Sequence, residues 1–231
     1  MLAADPIPFP AFRFGMEQAA SPQDVSVTLQ LIFFLTVLSL APSILILMTS
    51  FTRIIIVFSL LRTAMGTATV PPSQVLVGLA LILTMFIMTP VFKEAYTKGY
   101  QPYQEGKLTF MEMINEAKQP LRKFMLNNTR KKEVRTFLDI SNSPRPKSAE
   151  DIPDTVLVAS FVVSELTTAF QMGFLVYLPF LIIDFVVASV LLSMGMMMLP
   201  PVMISVPFKI MLFVLVDGWG LIVTSLVKSF W

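Results

Sequence analysis

The sequence predicts an all-α protein of hydrophobic helical hairpins, with kinked and broken helices and one small polar helical insertion. Three observations carry that expectation. Apolar residues fill 55% of the 231 positions and charged ones only 14%, against roughly 25% charged in ordinary soluble domains; mean hydropathy is +0.75. The apolar residues fall in runs covering 25–51, 74–92, 156–208 and 209–231, and a spanning helix needs about 20 such residues. Between the second and third runs lies different material, residues 93–154, with twelve Lys or Arg and nine Asp or Glu. Roughly four to six crossings fit, depending on how the long third run divides.

Residues 1–24 read as an extended N-terminal arm. Pro6, Pro8 and Pro10 alternate with Phe9, Phe12 and Phe14, and no charged segment precedes an apolar core as in a signal peptide. The N-terminal hydrophobic helices occupy 25–92. Ser21 or Asp24 can cap the first, with Pro22 suited to its start; Pro42 interrupts it, and 43–66 resumes with Arg53 and Arg62. The run Gly66-Thr-Ala-Thr-Val-Pro-Pro-Ser73 is a turn signal, so 43–66 and 74–92 form a helical hairpin, with Pro90 near its end. Residues 93–154 form the polar helical domain. There Leu108, Met111, Ile114, Leu121 and Met125 recur at helical spacing, as do Val134, Phe137 and Leu138; residues 142–154, rich in Ser, Pro and charge, make an exit linker. The C-terminal hydrophobic helices fill 155–231, divided by Gly173, Pro179, Gly195, Pro200, Pro201 and Pro207. Breakers so deep in apolar sequence are tolerated only where protein or a cavity surrounds the freed backbone groups.

Composition removes several functions. With no Cys and no His, thiol and imidazole catalysis, disulfides and nearly all zinc or haem sites are excluded, and neither a metal nor a cofactor is expected. A net charge of +2 without a basic stripe among aromatics argues against nucleic acid. No Gly-rich run ends in Lys-Ser or Lys-Thr, so no nucleotide loop is present. Ser160, Ser164, Ser189 and Ser193 lack a histidine base, and their spacing suits helix packing. The expectation is a protein that is not an enzyme.

Two groups of residues stand out. The charges in apolar surroundings are Arg53, Arg62, Glu165, Asp184, Lys209 and Asp217. Each costs at least about 2.5 kcal/mol in a membrane and needs a partner, a cavity or an interface. Arg53 is expected to pair with Glu165, and Lys209 with Asp184 or Asp217; the plainer alternative has Arg62, Lys209 and Asp217 reaching water from helix ends. The second group is Met194-Gly-Met-Met-Met-Leu-Pro-Pro201. A helix cannot run unbroken through Pro200 and Pro201, and four Met in five positions around Gly195 cannot all face one way. Met commonly fills core gaps, yet unbranched thioethers on a loop also suit a deformable constriction, closed when empty and sealed by dewetting.

The runs Met48-Thr-Ser-Phe-Thr-Arg-Ile-Ile-Ile-Val57, Pro71-Pro-Ser-Gln-Val-Leu-Val-Gly-Leu-Ala80, Phe170-Gln-Met-Gly-Phe174, Tyr177-Leu-Pro-Phe-Leu-Ile-Ile-Asp184 and Met194 to Ser205 strongly resemble the FliP family of flagellar type III export-gate proteins, from about residue 25 to the end. Phe208-Lys209 and Val216-Asp-Gly-Trp219 fit it too. The resemblance implies a pseudo-helical oligomer of about five copies with FliQ, FliR and FlhB as partners, forming the pore that unfolded flagellar subunits cross. It implies that Met194, Met196, Met197 and Met198, with Met203, form a gasket around that pore, and that Arg53, Glu165, Asp184, Lys209 and Asp217 fix intersubunit register. It places the complex at the bacterial inner membrane and flagellar basal body, with much of the assembly on the periplasmic side and its hydrophobic helices buried against neighbouring subunits; residues 93–154 lie on that side too, against the vote of their basic residues. The alternatives are a structural nucleation subunit that builds the complex without gating it, and an ion or solute transporter.

Overall fold

The computed structural model describes residues 46–67, 69–142, 146, 148–196 and 198–230, and before them only Ile32, Leu35, Thr36, Ser39, Pro42 and Ser43. The extended arm, most of the first apolar run, and Met197 lie outside the described residues. The chain divides into two units, residues 1–42 and 43–231. In the first, the Thr36 hydroxyl donates to the Ile32 carbonyl at 2.8 Å, as in a helix.

In the second unit α1 spans Phe51–Ala64 and α2 spans Ser73–Ala95. A π-helical turn at Tyr96–Tyr100 and α3, Gln101–Gln104, extend α2 into a 32-residue rod. The polar domain is α4, Phe110–Asn128, and α5, Lys131–Ile140. A 3₁₀ turn at Ala149–Asp151 leads into α6, Asp154–Ser193, followed by α7, Pro201–Leu215, and α8, Gly218–Lys228. The described residues contain no strand.

Among the described residues two elements, Ser73–Gln104 and Asp154–Ser193, are long and apolar enough to cross a membrane, each holding an 18-residue stretch of mean hydropathy 2.5, and α7 with α8 make a third candidate bent by 64°. The long apolar block therefore supplies one unbroken crossing-length helix, the low end of the range the sequence allows, because Gly173 and Pro179 do not divide it. Both lie inside the 40-residue α6. Gly173 is there for close approach: a Cβ on it would lie 2.2 Å from Leu60 Cδ1 of α1. Pro90 and Pro207 are likewise absorbed within α2 and α7, so a freed carbonyl in each of these helices is accommodated without a break.

The core forms where α1 lies along α6. Ile54, Val57, Phe58 and Leu61 on α1 are buried against a shared cluster with Leu157, Phe161 and Ala169 on α6. Each such side chain contributes about 1.5–3 kcal/mol where burial withdraws it from water. Phe124 of α4 reaches the same cluster edge-on to Phe161, with ring centroids 6.0 Å apart, and stacks on Phe230 near the C-terminal end.

The polar domain begins with a capping box. Glu112 N–H donates to the Thr109 hydroxyl at 3.4 Å, and Thr109 N–H donates back to the Glu112 carboxylate at 2.8 Å. That backbone hydrogen bond holds the Glu112 carboxyl below the usual carboxylate value. The apolar stripe seen in the sequence seats only in its C-terminal half: Met125 is buried while Met111 and Ile114 are exposed. Arg122, which the sequence does not distinguish from a surface charge, is buried and fastens the domain's exit. It donates to the carbonyls of Glu150, at 3.0 Å, and Ile152, and pairs with Asp154 at the start of α6.

Candidate functional site

The two buried ion pairs are closed within one chain. Arg53 on α1 and Glu165 on α6 meet as a two-pronged pair, with Nε donating to Oε2 at 2.9 Å and Nη2 donating to Oε1. Glu165 is 0% exposed. Arg53 Nη1 turns the other way and donates to the Ser229 carbonyl at 3.0 Å and hydroxyl at 2.8 Å, while the guanidinium lies 3.8 Å from the Phe230 ring centroid. One planar, multi-donor group thus neutralises a carboxylate and holds the C-terminal end, a task that fits Arg and not Lys.

The second pair joins α6 to α7. Lys209 Nζ lies 2.7 Å from Asp184 Oδ2 and donates to the Ala64 carbonyl at 3.1 Å. Ala64 ends α1, where a cation is favoured. The Ser205 hydroxyl donates to the other Asp184 oxygen. Of the two partners expected for Lys209, Asp184 is the one found. Lys209 does not reach water from a helix end: it is 1% exposed, well inside α7. Asp217 is exposed, with φ +50° at the bend between α7 and α8. Arg62 is half-buried and donates to the Ser73 hydroxyl at 2.9 Å across the hairpin turn.

The methionine loop bridges α6 and α7. Of the expected breakers, Gly195 sets its start, five residues before the prolines. Gly195 N–H donates to the Leu192 carbonyl at 3.1 Å and Met196 N–H to the Leu191 carbonyl at 2.9 Å. These are the two bonds of a Schellman motif, with Gly195 in the left-handed position at φ +76°. The prolines act further on: Pro200 caps α7 and Pro201 occupies its first turn, where a missing N–H costs nothing. Gly195 stops one helix and the Pro pair starts the next, so the intervening side chains are freed from any helical face. Met194, Met196, Met198 and Met203 are all exposed, Met198 by 97%.

Ser164, whose spacing suits helix packing, and Arg130, which the sequence does not single out, dock the polar domain. Arg130 N–H donates to the Ser164 hydroxyl at 3.1 Å, and that hydroxyl donates to the Asn128 carbonyl at 3.1 Å. Arg130 Nη2 also donates to Thr168, at 3.2 Å, and Gln171. The polar residues of the α6 face gave the only sequence signal. Among the described residues no group of His, Cys, Asp or Glu could hold a metal ion.

Apolar helices of membrane-crossing length, charges neutralised inside the chain and an exposed thioether loop at a helix break define a helical membrane-type protein. The sequence pattern of the FliP family matches residues 34–226, and the chain belongs to that family. It is 55% identical over 212 residues to the flagellar biosynthetic protein FliP of Bacillus subtilis (strain 168), covering 92% of this chain and 96% of that one. It is 47% identical over 223 residues to the protein of the same name from Treponema denticola, covering 96% and 82%, and 50% identical over 209 residues to that of Pectobacterium carotovorum subsp. carotovorum, covering 90% and 81%.

Proposed function

We propose that this chain is a pore-forming core subunit of the flagellar type III protein export gate, with the methionine loop as its gasket. The carrying observation is the loop itself, where Met194, Met196 and Met198 are exposed between a Schellman stop and a proline start. Thioether side chains on such a loop can close against one another when the pore is empty and yield when an unfolded chain passes. Residues 93–154 would then lie on the periplasmic side of the inner membrane.

Support for assembly comes from exposed apolar surface. A cleft of about 470 Å³ between α6 and the bent α7–α8 pair is lined by Met172, Pro179, Phe180, Phe213 and Ile222, and Phe170, Phe174 and Phe185 stand exposed along α6. In this reading the cleft and the α6 face receive neighbouring copies, about five in all, together with FliQ, FliR and FlhB, and the internal ion pairs hold each subunit to the shape that register requires.

The test is proximity across the pore. With Met198→Cys in the assembled complex, mild oxidation should link neighbouring copies through the loop, and Met111→Cys on α4 should not link. Efficient linking at Met111 with none at Met198 would contradict a ring of loops.

A further inference from the structure

We propose that the methionine loop is an oxidation site, at which a peroxide-class oxidant converts Met198, Met203, Met194 and Met196 to sulfoxides and so wets the seal. The chemistry balances without help from any other group. A thioether lone pair attacks one peroxide oxygen, the O–O bond breaks as the S–O bond forms, and the departing hydroxide takes the proton from the sulfur-bound hydroxyl and leaves as water, so that the sulfoxide remains. Sulfur gives up two electrons and the peroxide accepts them.

Exposure makes the loop selective. Met198 is 97% exposed, Met203 72%, Met194 62% and Met196 42%, whereas Met65, Met88 and Met125 are buried. Met203 lies in the first turn of α7, next to the loop, whereas Met85 and Met211 are exposed further along the apolar helices α2 and α7, on surfaces that lipid or neighbouring protein covers in this reading. Met111 is exposed on the polar α4 and serves as a reference site that oxidises away from the loop. A seal around an aqueous pore is wet on both faces, so a small oxidant reaches its side chains without the pore opening. Sulfoxide formation turns a flexible apolar group into a polar one, and the change is reversible by methionine sulfoxide reductases. An apolar constriction that excludes water loses that property when its lining becomes polar.

This consequence rests on the gasket reading, and the experiment separates the two. The assembled complex in vesicles of phosphatidylcholine and phosphatidylglycerol is treated with hydrogen peroxide. Oxidation is then mapped by peptide mass spectrometry, and efflux of a small trapped dye is followed. The loop methionines should oxidise at least about tenfold faster than Met65, Met88 and Met125, dye efflux should rise over the untreated vesicles, and sulfoxide reductases should reverse the rise. Met111→Leu should leave the peroxide response intact. Leu at 194, 196, 197, 198 and 203 should abolish the rise relative to that variant's own untreated baseline. Equal oxidation of Met198 and Met88 overturns the site. Oxidised loops with unchanged efflux, in a complex whose alanine-substituted loops do leak, overturn the switch and spare the gasket; if the alanine loops are tight as well, both fall.

Discussion

Lys209 and Asp184 meet at 2.7 Å with the lysine 1% exposed, and they tie α7 to α6 on either side of the methionine loop. The same ammonium also donates to the Ala64 carbonyl at 3.1 Å, so one cation fixes the loop's two supporting helices to the end of α1. Breaking such a pair strands a buried charge. Lys209→Met should lower unfolding stability by about 3–5 kcal/mol, whereas Lys209→Met with Asp184→Leu should recover most of it, to within about 1–2 kcal/mol of the parent. Denaturant unfolding of the full chain in detergent reads both; equal losses in the single and the double variant would show the pair to be energetically idle.

Arg53 offers a different prediction, because its geometry matters beyond its charge. Arg53→Lys keeps the charge facing Glu165 but cannot serve the Glu165 carboxylate and Ser229 together. Hydrogen exchange at residues 226–230 should accelerate by about tenfold or more, corresponding to loss of at least about 1.4 kcal/mol of local stability. Unchanged protection there would mean that Phe230 packing alone holds the end.

Gly173 should be intolerant of a side chain. Its Cβ would lie 2.2 Å from Leu60 Cδ1 and 3.1 Å from Leu60 Cβ, so Gly173→Ala should cost about 1–3 kcal/mol by overpacking. Adding Leu60→Ala should relieve part of that loss, so that in a double-mutant cycle the double variant loses less stability than the sum of the two single variants; strictly additive losses would contradict the contact.

Gly195 is constrained by conformation and not by space. A Cβ there meets nothing within 4 Å, yet φ is +76°. Gly195→Ala should therefore cost about 1–2 kcal/mol, and Gly195→Asn less, since Asn accepts the left-handed region more readily. Thermal unfolding of the two variants decides the order.

The α4 capping box gives a pH dependence. The Glu112 carboxyl is held below its unfolded value by the Thr109 N–H. Its contribution is therefore present above the unfolded value and is lost as pH falls through the lower folded value. Amide protection over residues 110–113 should drop in acid, and Glu112→Gln, which can still reach the Thr109 N–H, should flatten that response.

Much of this was legible because apolar length and Gly or Pro punctuation are local signals. The α1–α2 hairpin, the polar insertion, the long apolar run that became α6 and the methionine break all follow from composition. The Arg53–Glu165 pairing was legible because a lone charge in apolar sequence demands a partner. Other features depend on tertiary contacts that a linear pattern does not carry. Gly173 and Pro179 look like breaks, but Gly173 fits against Leu60 and α6 runs through both. Arg122 and Arg130 look like surface charges, but Arg122 ties α4 to the start of α6 and Arg130 ties the α4–α5 turn further along it. Pro200 and Pro201 hide the Schellman motif five residues earlier that ends the helix.

The central claim is that the loop seals a pore. The most direct measurement compares small-solute efflux from vesicles carrying the assembled complex with and without Ala at Met194, Met196, Met197 and Met198, alongside its native mass. The account predicts unchanged assembly and a marked rise in leakage. Loss of assembly without leakage, or an intact assembly that stays tight, would contradict it.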